Sequence, residues 1–295
     1  MKVAVLKGGR SLERQVSLRS AARVEDALTS LGHQVVSLDA GADLVRRLKE
    51  EGPEVAFIAL HGPGGEDGTP QELLEILGIP YTGPGVTACI RCMDKVLAKH
   101  LLRAAGIPTP DWVAFNATAF RELGAADALE EIEARLGFPL VVKPGAQGSA
   151  LGVRFAASRD DVPEALVAAF SYDDRVMLER HVAGPELAVS LLDGDGRTEY
   201  VCPAELAPAE TAAVQGVATR AYEALGCTGF ARVDLMLDAD AAAQVLEANA
   251  IPGLTDTSLF PMAANAAGIS FEDLVARIVD LARARGPVAS ATLPG

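Results

Sequence analysis

Two short segments near the C-terminus carry oxygen-bearing side chains at alternating positions. They are Arg232-Val233-Asp234 and Glu247-Ala248-Asn249. Alternating residues of an extended strand project from one face, so a hairpin that joins the segments would gather Asp234, Glu247 and Asn249. Two carboxylates and a neutral amide oxygen suit Mg²⁺, which completes its coordination with water and substrate phosphates. Taken alone, the segments fit a solvated acidic hairpin edge equally well, because such residues are common on exposed strands.

A glycine-rich turn over residues 143–153 begins with Lys143 and follows a predicted strand. Glycines let backbone N–H groups approach phosphate oxygens, and a lysine adds a point charge. The pattern is not that of a P-loop, and an ordinary glycine-rich turn is the alternative. Lys95, at the start of a predicted helix, is a second candidate for phosphate binding, with a plain surface lysine as the alternative.

The connector at residues 178–186 carries two further carboxylates, Glu179 and Glu186. A strand that runs into a connector can offer backbone groups to an adenine edge and a carboxylate to ribose hydroxyls. Without its neighbours, the segment fits exposed glutamates at a strand end better.

Two loops have the groups that a small zwitterion needs. Glu13, just after the first predicted strand, can bind an ammonium group. Ser258 and backbone N–H groups nearby can hold a carboxylate, as donors at helix starts commonly do. His61 follows the third predicted strand, in a glycine-dense loop that favours close approach of a substrate. A loop histidine satisfied by its neighbours is the alternative.

These residues must be positioned by strands and helices, which the sequence predicts in alternation. In the first third of the chain they predict an open parallel sheet with its ligand edge at the strand carboxyl ends. Later strand signals predict antiparallel α+β units. The predicted strands are 3–6, 33–38, 55–60, 80–81, 140–143, 177–179, 187–192, 232–237 and 244–249; the predicted helices are 17–31, 71–77, 93–105, 125–136, 210–224 and 271–284. Gly8-Gly9 does not continue as Gly-x-Gly-x-x-Gly, so a dinucleotide site has little support.

Composition narrows the function classes. The 295 residues are 49% hydrophobic with a net charge of −14, which indicates a globular protein without a general nucleic-acid or membrane surface. The apolar runs are too short for a signal peptide core or a membrane span. Four scattered cysteines do not form a disulfide framework, which favours a reducing cytoplasm. A zinc or redox site at Cys89 and Cys92 has little support, because no second cysteine pair lies nearby in the sequence. Both cysteines are therefore expected to be small apolar residues on a helix.

The ordered set of motifs resembles the D-alanine–D-alanine ligases of the ATP-grasp superfamily across nearly the whole chain. Each motif is weak alone, but the order is specific. The matching stretches are Gly8 to Ser17, Leu60 to Gly68, Met93 to Lys95, Val142 to Pro144, Gly148-Ser149, Gly184 to Glu186, Arg232 to Asp234 and Glu247 to Leu259. The resemblance implies an α/β and α+β protein with a three-domain ATP-grasp fold. Its domains would be an N-terminal substrate-binding open parallel sheet (1–86) and central (87–178) and C-terminal catalytic (179–295) subdomains that sandwich ATP.

The resemblance also implies a reaction for peptidoglycan precursor synthesis. ATP phosphorylates the carboxylate of one D-alanine, and the amine of a second attacks the acyl phosphate, which is mostly a matter of positioning and charge neutralisation. By family analogy, ATP would be bound by Lys95, Lys143, Glu179, the backbone near Val182, and Glu186. Two Mg²⁺ ions, replaceable by Mn²⁺, would be bound by Asp234, Glu247 and Asn249. The D-alanines would be bound by Glu13, His61, Ser258 and Leu259, and catalysis would involve Glu13, Ser149, Arg232 and Gly253.

The chain departs from the family pattern after Leu192. Family members carry there a further strand and a long mobile loop with a Tyr-Asp-Tyr-Glu-Ala-Lys-Tyr-like motif, whereas here residues 193–197 lead directly into Thr198. Closing loops exclude water from reactive intermediates, so the loss predicts impaired or uncoupled catalysis and an altered edge in the third sheet. Either the chain is a natural short variant or the printed sequence omits a mobile segment; the intact flanking motifs favour the omission. A smaller departure is Ala150, where the family often has serine.

Two function classes therefore stay open. The candidate metal ligands and the pair of Glu13 and Ser258 favour an ATP-dependent ligase, whereas the absent loop favours a silent or regulatory ATP-binding homologue. A D-lactate or other second substrate also stays open, because the loop that helps to select it is lacking. Family members are commonly homodimers through the N-terminal domain, and a homodimer is expected here.

Overall fold

A computed structural model describes residues 1–124, 128–194, 198–202 and 206–288. Its first sheet consists of β1 (Lys2–Lys7), β2 (Gln34–Asp39) and β3 (Val55–Ile58), all parallel in the order β2-β1-β3. The central residues of β1, 3–6, are fully buried, as expected for a parallel strand covered on both faces. An isolated parallel bridge joins Ala56 to Tyr81 and extends the sheet where a short strand was predicted.

Three helices accompany this sheet: α1 (Arg14–Ser30), α2 (Leu44–Glu51) and α3 (Thr69–Leu77). The start predicted for the helix at 17–31 was wrong, because α1 begins at Arg14. Ser17 lies inside the helix and is buried, and its hydroxyl accepts from the Gly8 N–H (2.8 Å) and donates to the Ala59 carbonyl (2.6 Å). The serine therefore ties the ends of β1 and β3 to α1, which positions the loops that carry Glu13 and His61.

The helix predicted at 93–105 corresponds to α5 (Lys95–Ala104), and a separate helix, α4 (Val86–Met93), precedes it and is separated from it by Asp94. Asp94 is extended and its side chain accepts a hydrogen bond from the Leu97 N–H at 2.9 Å, a typical N-cap. Cys89 and Cys92 are buried on α4 among apolar residues, as predicted.

The second sheet is antiparallel, in the order β4-β7-β5-β6. Its strands are β4 (Trp112–Asn116), β5 (Leu140–Pro144), β6 (Arg154–Ala156) and β7 (Arg175–Arg180). The helices in this part are α6 (Ala117–Glu122), α7 (Leu129–Leu136) and α8 (Val162–Phe170). Residues 125–127, where α7 was predicted to begin, lie outside the described residues. A separate apolar cluster including Leu140, Leu166 and Leu178 forms the core here.

The third sheet is also antiparallel, in the order β11-β10-β8-β9. Its strands are β8 (Glu186–Leu192), β9 (Thr198–Cys202), β10 (Phe230–Leu237) and β11 (Ala243–Asn249), and α9 (Pro208–Leu225) packs on it. β9 forms the edge of the sheet next to β8, directly after the short connection at 193–197. The position beside β8, where the departure from the family pattern predicted an altered edge, is therefore occupied by β9.

Two C-terminal helices, α10 (Leu259–Ala266) and α11 (Phe271–Arg285), complete the described fold. α11 packs against α1 and β3, and one apolar cluster contains residues of both β1 and α11. β7 also crosses the boundary predicted at residue 178, and the division into 1–86, 87–178 and 179–295 stays a prediction. In the described ranges we find no helix that combines the length and apolar character needed to cross a membrane.

Candidate active site

The predicted hairpin of β10 and β11 is present and gathers the candidate metal ligands. Asp234 lies opposite Glu247, and Arg232 lies opposite Asn249. Because directly opposed residues of an antiparallel pair share a face, the four polar side chains form one patch. The register shifts after Asp234, which leaves Leu246 as the extra residue of a β-bulge. Bulges beside functional sites re-aim neighbouring side chains.

Both carboxylates of this patch already have cationic partners. Arg232 donates to both oxygens of Asp234, each at 2.7 Å, and the Asn249 amide donates to Asp234 Oδ2 at 2.8 Å. The Lys95 ammonium lies 3.1 Å from Glu247 Oε2. Burial raises the pKa of Asp234, and Arg232 opposes this shift. Burial also acts to raise the pKa of Glu247, but Lys95 and Lys143 outweigh it and bring that pKa below its usual value.

A cavity of about 360 Å³ opens beside this patch, between the second and third sheets. We call it the lysine cavity. Its lining includes the residues predicted to bind ATP and two of the predicted metal ligands: Lys95, Lys143, Glu179, Val182, Glu186, Asp234 and Glu247. Apolar side chains from both sheets, including Val141, Leu151, Met236 and Leu246, complete it. A cavity of this volume that combines apolar and charged side chains suits a ligand with both apolar and charged parts, such as a nucleotide.

Glu179 lies at the back of the lysine cavity and is only 2% exposed. Its Oε2 accepts from the Lys143 ammonium at 2.6 Å, and its Oε1 accepts from Lys99. Burial raises the pKa of Glu179, but the two lysines outweigh burial and the net shift is downward. Sequence analysis did not single out Lys99, because nothing in its spacing distinguishes it from a surface lysine.

A second cavity, of about 390 Å³, adjoins the first. We call it the serine cavity. It is lined by residues predicted to bind D-alanine or act in catalysis, by the candidate metal ligands and by Glu186, which was predicted to bind ATP: Glu13, His61, Ser149, Glu186, Arg232, Asp234, Glu247, Asn249, Gly253, Ser258 and Leu259. Glu186, Asp234 and Glu247 line both cavities. Two of the three candidate metal ligands, Asp234 and Glu247, therefore form part of a shared wall, and Asn249 lines the serine cavity.

Glu13 is 8% exposed and faces the serine cavity. Its Oε1 accepts a hydrogen bond from Ser149, and its Oε2 is buried without a partner among the described residues. Burial raises the pKa of Glu13, with Ser149 opposing. Gly148 is required here, since a Cβ at that position would lie 2.7 Å from Glu13 Oε2. An unpaired buried carboxylate oxygen is costly and marks a place for a ligand donor.

His61 is joined to the loop after β11 by hydrogen bonds that sequence analysis did not anticipate. Its Nδ1 lies 3.2 Å from two acceptors, Glu66 Oε1 and the Ile251 carbonyl, so Nδ1 carries the proton and Nε2 accepts from Ser20 Oγ at 3.0 Å. The same Ser20 hydroxyl accepts from the Leu254 N–H at 3.2 Å. On the next turn of α1, Arg23 donates to the Leu254 carbonyl at 2.7 Å.

Ser258 precedes α10 and faces the same loop from its other side. Its hydroxyl accepts from the Thr255 N–H at 3.0 Å and lies 2.8 Å from Thr255 Oγ1. A Cβ on Gly253 would approach Ser258 Oγ to 2.8 Å, so a glycine lets this turn close. The N–H groups at the start of α10 lack helical acceptors and form, with Ser258, a place suited to a carboxylate.

Family models and sequence relatives match this chain over most of its length. The family model described as "D-ala D-ala ligase C-terminus" matches residues 101–197 and 193–280, and "D-ala D-ala ligase N-terminus" matches 42–84. The D-alanine–D-alanine ligase of Desulforudis audaxviator is 44% identical over 312 aligned positions, which cover 96% of this chain and 99% of the relative. That alignment is longer than the chain, and the C-terminal match divides at 193–197. The relatives therefore have residues that this chain lacks.

Solved structures give the same result. The Bacillus anthracis D-alanine–D-alanine ligase in complex with ATP matches with a TM-score of 0.82 at 33% identity, over 97% of this chain and 99% of that one. A D-Ala:D-Ser ligase from Enterococcus faecalis matches with a TM-score of 0.83 at 26% identity, over 95% and 99%. The predicted ATP-grasp fold, with one parallel and two antiparallel sheets, is confirmed. This chain belongs to the D-alanine–D-alanine ligase family.

Proposed function

We propose that this protein is an ATP-dependent D-alanine–D-alanine ligase, which makes the dipeptide for peptidoglycan precursors in the cytoplasm. The shared wall of the two cavities carries this proposal. A phosphoryl group must pass from a nucleotide to a carboxylate, and two candidate metal ligands, Asp234 and Glu247, line both the lysine cavity and the serine cavity. Membership of the family supports the same assignment.

In the lysine cavity, Lys95 and Lys143 hold the phosphates, and the connector with Glu179 and Val182 holds adenine. Glu186 lines both cavities and holds the ribose. These are charge-assisted contacts in a partly buried cavity, where they are stronger than in water.

The residues present fit a divalent cation, by the chemistry of their donors. Within the described ranges, no group of three His, Cys, Asp or Glu side chains gathers to hold a metal, but Mg²⁺ accepts amide oxygens, and Asn249 adjoins two carboxylates. Asp234, Glu247 and Asn249 would hold two Mg²⁺, or Mn²⁺ in their place. The ions supply charge neutralisation for the phosphates. Arg232 and Lys95, which pair with the carboxylates here, are then free to turn toward the reacting oxygens.

In the serine cavity, the unpaired Glu13 Oε2 accepts the ammonium of the first D-alanine, with His61 beside it. Ser258 and the Leu259 N–H hold the carboxylate of the second D-alanine. Arg232 and the Gly253 N–H stabilise the oxyanion of the tetrahedral intermediate. Ser149 fixes Glu13 from the glycine-rich turn.

The test is a product assay with ATP, Mg²⁺ and D-alanine, with L-alanine as the control substrate. Phosphate and dipeptide are expected in equal amounts, and only with D-alanine. No phosphate release would overturn the ligase assignment, and phosphate without dipeptide would identify the uncoupled or regulatory homologue. D-serine and D-lactate, each added with D-alanine, determine the second substrate. Sedimentation determines whether the protein is the homodimer that we propose, and intact mass tests whether the short connection at 193–197 is present.

A further inference from the structure

Glu179 forms ion pairs with two lysines, only one of which lines the lysine cavity. Lys143 lines it, whereas Lys99 on α5 is fully buried behind Glu179. The Lys99 ammonium donates to Glu179 Oε1 and, at 2.6 Å, to Thr109 Oγ1, which in turn donates to the Val245 carbonyl at 2.7 Å. Lys99 is therefore fixed in place and does not reach a ligand itself.

Burying a charged lysine is costly unless the ammonium is paired with an opposite charge and hydrogen-bonded. Burial lowers the pKa of Lys99 to about 8, with Glu179 opposing the shift and Lys143 adding to it, so the group is largely charged at neutral pH. Arg103, on the same helix, is paired with Asp111 at 2.8 Å. Lys143 with Glu179 alone would be a neutral pair, and Lys99 gives the group of three side chains one excess positive charge.

We propose that Lys99 is a positioning residue for nucleotide binding, which compensates Glu179 from behind so that Lys143 can exchange this carboxylate for phosphate oxygens. The inference rests on the nucleotide role proposed for the lysine cavity. When Lys143 turns to a phosphate, Glu179 keeps a buried cationic partner in Lys99. Without Lys99, the same movement would leave the buried Glu179 carboxylate without a cationic partner, which is strongly unfavourable. Lys143 would therefore stay bound to Glu179.

The test measures binding of ADP with Mg²⁺ by calorimetry, in the absence of D-alanine. Lys99→Met is expected to raise the Kd for ADP on the order of tenfold, as expected for loss of one charged contact. In turnover assays the KM for ATP should rise similarly, whereas the KM values for D-alanine should not change. The double variant Lys99→Met/Glu179→Gln removes both charges and frees Lys143. Because Glu179 is also proposed to contact the nucleotide, the Kd of the double variant for ADP is compared with that of Glu179→Gln alone, and the two values are expected to agree within about threefold.

The matched control is Arg103→Met. Arg103 stacks over the same Trp112 ring as Lys99, at 4.0 Å from its centroid, and has no hydrogen bond to Glu179 among the described residues. Its ADP affinity should stay that of wild type. Unchanged ADP affinity in Lys99→Met, or a further tenfold loss of ADP affinity when Lys99→Met is added to Glu179→Gln, would overturn the proposal. If Lys99→Met does not fold, the comparison of the double variant with Glu179→Gln decides alone, and tenfold weaker binding in the double variant contradicts the proposal. Absence of ADP binding to the wild type would instead refute the nucleotide site.

Discussion

Asp234 and Glu247 face each other across the β10–β11 pair, and each carboxylate has its own cation, Arg232 for Asp234 and Lys95 for Glu247. Two carboxylates side by side would disfavour each other's ionisation. The two cations come from different parts of the chain, since Arg232 is on the same hairpin and Lys95 begins α5. The site therefore contains two carboxylates and two cationic side chains in alternation. When a metal and a polyphosphate bind, the carboxylates can pair with the metal and the cationic side chains with the phosphates, so that no charge is left unpaired.

Replacing Glu247 with Gln should therefore stop the reaction. The amide keeps the size of the side chain but removes the charge that pairs with Lys95 and that a divalent cation requires. Dipeptide formation is expected to fall by at least about 100-fold, since even changes in groups that only orient metal ligands cost 10–100-fold. Asp240→Asn, at the exposed tip of the same hairpin, is the control. Unchanged turnover in Glu247→Gln would refute the metal assignment.

The hairpin could be predicted from sequence because its information is local. Alternation over a few residues determines which side chains share a face, and the structure places Arg232, Asp234, Glu247 and Asn249 accordingly. The bulge at Leu246 could not be predicted, because a one-residue shift depends on how the two strands pack. The start of α1 was misjudged for a related reason. Ser17 has the residue type of a cap, but its hydroxyl is used by Gly8 and Ala59, which only the tertiary fold brings near.

The raised pKa of Glu13 links the site to stability. Burial raises this pKa above the ordinary value of 4.5, so the folded protein binds the proton more tightly than the unfolded chain. Stability therefore falls as the pH rises from about 4.5 through the folded-state pKa. Glu13→Gln cannot ionise and should raise the Tm at pH 8 more than at pH 5, while it abolishes dipeptide formation because the ammonium loses its partner.

Thermal unfolding at the two pH values and a dipeptide assay test this linkage. Glu72→Gln, at an exposed position on α3, is the control and should change neither the Tm nor the activity appreciably. A Tm for Glu13→Gln equal to or below that of wild type at pH 8 would show that the carboxylate is not strained by burial.

The buried cysteines should behave as apolar residues. Cys89, Cys92 and Cys227 are buried, and the sulfurs of Cys92 and Cys227 lie 3.5 Å apart. Contact with Cys227 and burial raise the pKa of Cys92, and burial raises that of Cys89, so little reactive thiolate forms. In a Cys202→Ser background, a thiol reagent is expected to modify no cysteine until the protein unfolds, and then three. Rapid modification of the native protein, or bound zinc in the purified protein, would contradict this.

Ser20 is the residue through which α1 reaches both substrate loops, and sequence analysis missed it. It is one of several serines on an amphipathic helix, and its partners lie 41 and 234 residues away along the chain. No local pattern carries such information. Residues whose partners are distant along the chain can be identified only when the fold is known, whereas the motifs of the hairpin and the glycine-rich turn can be recognised in the sequence.

Replacing Ser20 with Ala should impair substrate binding more than stability. The change leaves His61 Nε2 and the Leu254 N–H without the shared hydroxyl, at a cost of about 1–3 kcal/mol for an unsatisfied buried group. Because Leu254 follows Gly253 directly, the loop of the proposed oxyanion donor loses its hydrogen bond to Ser20 and keeps that to Arg23, and kcat/KM for D-alanine is expected to fall about tenfold. Thr82→Val is the matched control, since Thr82 is a fully buried hydroxyl that accepts only from the Ile58 N–H among the described contacts. A similar loss of Tm in both variants, with a loss of kcat/KM only in Ser20→Ala, would show that Ser20 positions the substrate loops; equal kinetics in both variants would show that it supports the fold alone.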